Sequence, residues 1–141
     1  MAAFNKFNQF VEDLAEKVHN LGADTIRVLL TNAAPVAGNS VKADLTEISA
    51  GNGYTTGGTQ ATIASSAQSG GSYKLVLSDV TFTAAGGVIG PFRYAVLYND
   101  TPTAPADPLI GWYDYGSSIT LTDGNSFLFD FDGTNGVITL N

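Results

Sequence analysis

The chain has 141 residues and 14.7 kDa, with no cysteine, a single histidine, 16 glycines, 44% hydrophobic and only 13% charged residues. That is room for one domain, which at this mass folds from roughly 21,000 Å² of accessible surface to about 6,900 Å² and so needs no staples. The missing cysteines exclude disulfides and thiolate chemistry, the lone His19 excludes most zinc sites and histidine-centred triads, and a net charge of −7 makes nucleic acid and anionic membranes poor partners.

In chain order, residues 1–22 carry the only helical signal. Phe4, Phe7, Val11, Leu14, Val18 and Leu21 recur at spacings of 3 and 4, one apolar stripe opposite Glu12, Asp13 and Glu16. Gly22 is the expected stop, with Lys17 and His19 in the last turns where positive charge suits the helix dipole. The stripe is too short for a coiled coil and must dock on its own chain or on a neighbouring subunit. These first residues contain no signal-peptide block, and no window approaches a membrane span, so the sequence predicts a protein made in a cytoplasm.

From Asp24 onward the apolar period is two. Strands are predicted in DTIRVLLTN, LTEIS, QATIASSAQ, SYKLVLSDVTFTA (one strand with a bulge), FRYAVLYND, LIGWYDYG, SITLT, SFLFDFDG and GVITLN. FRYAVLYND is dense enough for burial on both faces, and TPTAPADP reads as a long crossover loop. Turn signals NGY, SGG, AGG, DGN and TNG fall at hairpin intervals. Eight or nine short strands with no helix between them exclude parallel βαβ units. The fold expected is mainly β: one domain over residues 1–141, with an N-terminal amphipathic α-helix (1–22) and an antiparallel β-sandwich (24–141) of jelly-roll-like or other Greek-key topology.

No catalytic apparatus is visible, and the expectation is a non-enzyme without cofactor or metal. GNGYTTGG (51–58) lacks the GK[ST] ending and βα turn of a phosphate loop and reads as turn or exposed loop. DFDGTNG (130–136) alternates carboxylates with a glycine turn, as a calcium loop does, but its glycine stands at position 4 and no glutamate stands at 12. As strand and hairpin it points Phe127, Phe129 and Phe131 inward and Asp130 and Asp132 outward. Trp112, Tyr113 and Tyr115 are the candidate partner contacts: large amphipathic rings serve equally as sugar-stacking platform, interface anchor or core. Alternation places Tyr113 and Tyr115 on one face and Trp112 on the other.

Four strings occur in order along the chain: KFNQFVEDLAEKVHNLG, VLLTNAAP, EISAGNGYTTGG and GPFRYAVLYND. Together they resemble small virion proteins of tailed bacteriophages, in particular the cement or head-decoration proteins that bind the outside of an icosahedral capsid. The resemblance spans essentially the whole chain and transfers no functional residue. It implies a jelly roll that assembles as a dimer or trimer on the major capsid protein, on the exterior of the virion. A neck or tail component is the alternative in the same setting, and a carbohydrate- or receptor-binding module using the three rings is the alternative from another class.

Overall fold

The computed structural model describes residues 2–141. Its elements are β1 (Phe4–Lys6), α1 (Gln9–Ala15), β2 (Ile26–Thr31), β3 (Thr59–Gln60), β4 (Ile63–Ser69), β5 (Ser72–Leu77), β6 (Val80–Thr83), β7 (Ile89–Asn99), β8 (Leu109–Leu121), β9 (Ser126–Phe129) and β10 (Ile138–Leu140). Every ladder is antiparallel. A five-stranded sheet runs β1-β8-β7-β2-β3, and opposite it lie a three-stranded sheet, β10-β5-β4, and the pair β6-β9. The pairings 7/8, 6/9 and 5/10 nest one inside the next, so the chain wraps as a folded ribbon about the β7–β8 hairpin. The chain is thus the mainly β, antiparallel sandwich that its period-two pattern predicts, with one short helix near its start. Its accessible surface of 6907 Å² is that of a compact domain of this mass.

The main core lies between the layers. Val28 and Leu30 of β2, Ala95 and Leu97 of β7 and Tyr113 of β8 meet Leu75 and Leu77 of β5, Val80 and Phe82 of β6 and Ile138 of β10. A smaller core, Phe7, Leu29, Val96, Tyr98 and Leu109, covers the other face of the large sheet, with Leu45 and Trp112 packed on it. This double coverage explains the run of buried residues at the end of β7, where alternation is lost because neither face meets water.

Several expectations are corrected. The helix is only Gln9–Ala15, not residues 1–22. Phe4 lies in β1 opposite Tyr113, and Phe7 enters the small core. The helix buries Phe10, a residue outside the stripe, in the main core, and leaves Val11 52% exposed. A strand and a turn satisfy spacings of 3 and 4 as readily as a helix when their side chains go to opposite faces of one sheet. Helix termination also occurs earlier than Gly22: Glu16 caps, and Lys17 follows at φ 70.

LTEIS forms no strand; residues 45–49 run alongside β2, held by Ile48 N–H donating to Leu30 O at 3.1 Å. SYKLVLSDVTFTA is two strands in two sheets, broken at Ser78–Asp79, where the Asp79 carboxylate accepts the Phe131 N–H at 2.9 Å. LIGWYDYG and SITLT are one long strand, β8. The proline-rich segment is no crossover, since β7 and β8 pair directly and Asn99 N–H donates to Pro108 O across its base. The glycine-rich 51–58 segment is a turn, yet it carries a core residue. Tyr54 is buried, its hydroxyl accepting Leu30 N–H at 3.0 Å and donating to Glu47 at 2.7 Å, and burial raises that phenol far above its ordinary range.

His19, expected as a helix-end residue, is buried beyond the helix in a polar latch. Asn99 Nδ2 donates to His19 Nδ1 at 3.1 Å and to Asp24 Oδ2 at 2.7 Å, tying the N-terminal segment to the end of β7. That bond makes Nδ1 an acceptor, so the neutral ring carries its hydrogen on Nε2, which has no partner among the described residues. Burial holds the imidazole below its ordinary 6.5, against the opposing pull of Asp13 and Asp24. A depressed folded-state value means that the unfolded chain binds the proton more readily. The stability this group contributes is therefore complete above pH 6.5 and is lost as the pH falls through the folded value. Melting temperatures measured between pH 7.5 and 5 should decline, and His19→Gln, whose amide can still accept from Asn99, should flatten that decline. An identical slope in the variant would exclude His19 as its source.

Candidate functional site

The side chains of β7 and β8 that point away from Trp112 form, with β9, an aromatic cleft of about 250 Å³. Phe92, Tyr113, Tyr115, Phe127 and Leu128 are among the side chains that line it, and Arg93 and Asp130 contribute the charge. Its floor is a column of edge-to-face rings. Tyr113 meets Phe129 at 5.1 Å and Phe131 at 6.2 Å between centroids, and Phe127 meets Phe92 at 5.4 Å and Tyr115 at 5.6 Å. Such contacts join ring edges to ring faces and fix the rings against one another. The β9 alternation read from SFLFDFDG supplies this layer: Phe131 is buried, Phe127 and Phe129 are half-buried, and Leu128 and Asp130 face solvent.

Of the three ring residues singled out in the sequence, the structure brings two together. Tyr113 is 6% exposed and is floor, its phenol driven above its ordinary range by burial. Tyr115 is 54% exposed and forms a wall. Trp112 faces the opposite side of the sheet and stacks 4.6 Å from Phe7. The three rings therefore form no common stacking platform, and Trp112 emission reports on the Phe7 side of the sheet, not on the cleft.

The cleft's polar feature is an ion pair that the sequence did not signal. β7 bulges between Phe92 and Tyr94, which turns Arg93 across the ladder toward β8. There its guanidinium grips Asp114 with two bonds, Nε to Oδ1 at 2.8 Å and Nη2 to Oδ2 at 3.0 Å. It also lies over the Tyr94 ring, 5.3 Å from the centroid. Asp114 additionally accepts the Gly116 N–H at 2.8 Å. The bidentate arginine and that backbone bond hold the Asp114 carboxyl below the usual range, and the same pairing raises the guanidinium. The pairing neutralises the guanidinium, so the cleft presents little net positive charge to draw in an anionic ligand. What the cleft offers is contact: fixed rings, the exposed Leu128 and a locked charge pair, suited to holding an apolar or ring-bearing group.

The other carboxylate-rich segment serves its own turn. Asp132 accepts the backbone N–H groups of Thr134 and Asn135 and the Asn135 side-chain amide, which together hold it below the usual range. Among the described residues, no three His, Asp or Glu side chains gather as a metal set, and no helix is long and apolar enough to cross a membrane. Compared with known proteins, the chain matches no family model, no curated protein and no solved structure.

Proposed function

We propose that this chain is a non-enzymatic virion structural protein, a cement or decoration protein that binds the outside of an icosahedral phage capsid and bridges neighbouring capsomers. The reading rests on one agreement: four ordered strings resembling decoration proteins span a chain that folds as a single-helix antiparallel sandwich. The physics is compatible with the role. A disulfide-free domain with a doubly covered central sheet is a rigid part that can be used in many copies, and an oligomer of weak binders holds a repeating surface through multivalency.

The test is cosedimentation with expanded, undecorated capsids at micromolar protein and near-neutral pH. Saturable binding at hundreds of copies per particle is the expected result. A dozen copies or fewer would reassign the chain to the neck or tail, and no binding would overturn the virion reading. The carbohydrate- or receptor-binding alternative now rests on Tyr115 and the cleft alone, since Trp112 and Tyr113 present no shared face to a sugar.

A further inference from the structure

We propose that β4 is a self-association seam, pairing antiparallel with β4 of a second copy to join two three-stranded sheets into one of six. β4 is the free edge of β10-β5-β4, and at seven residues it is longer than the edge strands β1, β3 and β10, which have two or three. Edge strands of this length are normally blunted by charge or proline, because their unpaired backbone groups recruit other strands. Ile63–Ser69 has neither. Residues 48–73 contain no charged side chain at all, in a protein whose net charge of −7 repels a second copy elsewhere.

The register follows from the turn. Gly70 and Gly71, at φ 60 and 86, make a two-residue hairpin, so Ser69 and Ser72 are its closing bonded pair. Stepping back by two, Ala67 and Ser65 bond to Lys74 and Val76 of β5, and Ser66 and Gln68 turn their N–H and C=O groups outward. These outward groups make no hydrogen bond among the described residues. A second copy related by a two-fold axis through Ala67 sets Ser66 opposite its Gln68 and Gln68 opposite its Ser66, each pair exchanging two backbone bonds. The same axis places Ala67 against Ala67 and Ser65 against Ser69. Those are the non-bonded pairs, where Cα atoms approach to about 4.5 Å and these short side chains meet without crowding. The segment Ser65–Ser66–Ala67–Gln68–Ser69 is uncharged and, apart from Gln68, small, so the two-fold pairing brings a second copy to this edge without the like-charge repulsion that a net charge of −7 imposes elsewhere.

This seam depends on the strand edge alone, and its test contains no capsid, so it stands or falls separately from the virion reading. Sedimentation velocity of the full chain from micromolar to millimolar concentration should show a monomer–dimer equilibrium. In the dimer, hydrogen exchange at the amides of Ser66 and Gln68 should slow and then recover on dilution. Ala67→Lys, which sets two ammonium groups across the axis, and Gln68→Pro, which deletes an outward donor, should each raise the dimer dissociation constant at least about tenfold. The melting temperature of dilute protein tests that both variants remain folded. A wild-type monomer throughout the range would overturn the proposal. So would a dimer that survives both substitutions, or one whose Ser66 and Gln68 amides stay unprotected.

Discussion

Removing residues 1–22 is expected to abolish cooperative folding. The segment does not lie on the sandwich as a detachable helix. Phe7 closes the small core on one face of the large sheet, Phe10 and Leu21 enter the main core on the other, and β1 pairs with the edge of β8. Each such side chain contributes about 1.5–3 kcal/mol on burial, so these three alone approach the whole stability of a domain, commonly about 5–15 kcal/mol. Deletion also uncovers Trp112, Leu109 and the β8 edge together. Circular dichroism melts and gel filtration of the truncated chain should show aggregation or no cooperative transition. A truncated protein that melts at the wild-type temperature would show that the segment serves a neighbouring subunit instead.

Gly58→Ala is expected to be the most damaging single methyl group in the protein. Gly58 leads into β3 at φ +76, a conformation L-residues rarely adopt, and an added Cβ would sit 1.8 Å from the Val28 carbonyl oxygen and 2.6 Å from its carbon. Val28 belongs to β2, which is bonded on both sides and packed on both faces, so it cannot retreat. Backbone strain alone costs about 1 kcal/mol, and the clash should bring the loss to about 3–5 kcal/mol. Gly70→Ala is the control: its φ of +60 is also left-handed, but nothing lies within 4 Å, so a loss of about 1 kcal/mol is expected. Denaturant midpoints of the two variants separate steric exclusion from strain. Equal losses would mean that the β2–β3 junction can move.

These two sites mark what the sequence makes legible. Alternation reveals the strands because each buries one face, and it correctly sorts Trp112 from Tyr113 and Phe127, Phe129 and Phe131 from Asp130. It fails where burial is two-sided, as with Phe7 and Phe10, because a mixed pattern fits a helix as well as a strand and turn. It is also silent where one residue leaves a loop to plug the core, as Tyr54 does, since a single tyrosine among glycines has no period. In the cleft the rings were legible one strand at a time. The Arg93–Asp114 grip was not, because it depends on a bulge in β7 and on a register between residues 21 apart. The exposed edge of β4 leaves even less trace, its serines and alanines having no preferred face.

The pairing of β1 with β8 also has a meaning for biosynthesis. Phe4 opposes Tyr113, so the first strand has no template until more than a hundred further residues have been made. β10, whose Leu140 opposes Tyr73, is made after every other strand and docks after them. During translation, therefore, Phe4, Phe7 and Phe10 leave the ribosome with nothing to cover them, and loop closure over that distance makes the final collapse slow and nearly all-or-none. The nascent chain is therefore most vulnerable until β8 has been made, an interval in which chaperone holdases can shield the exposed rings.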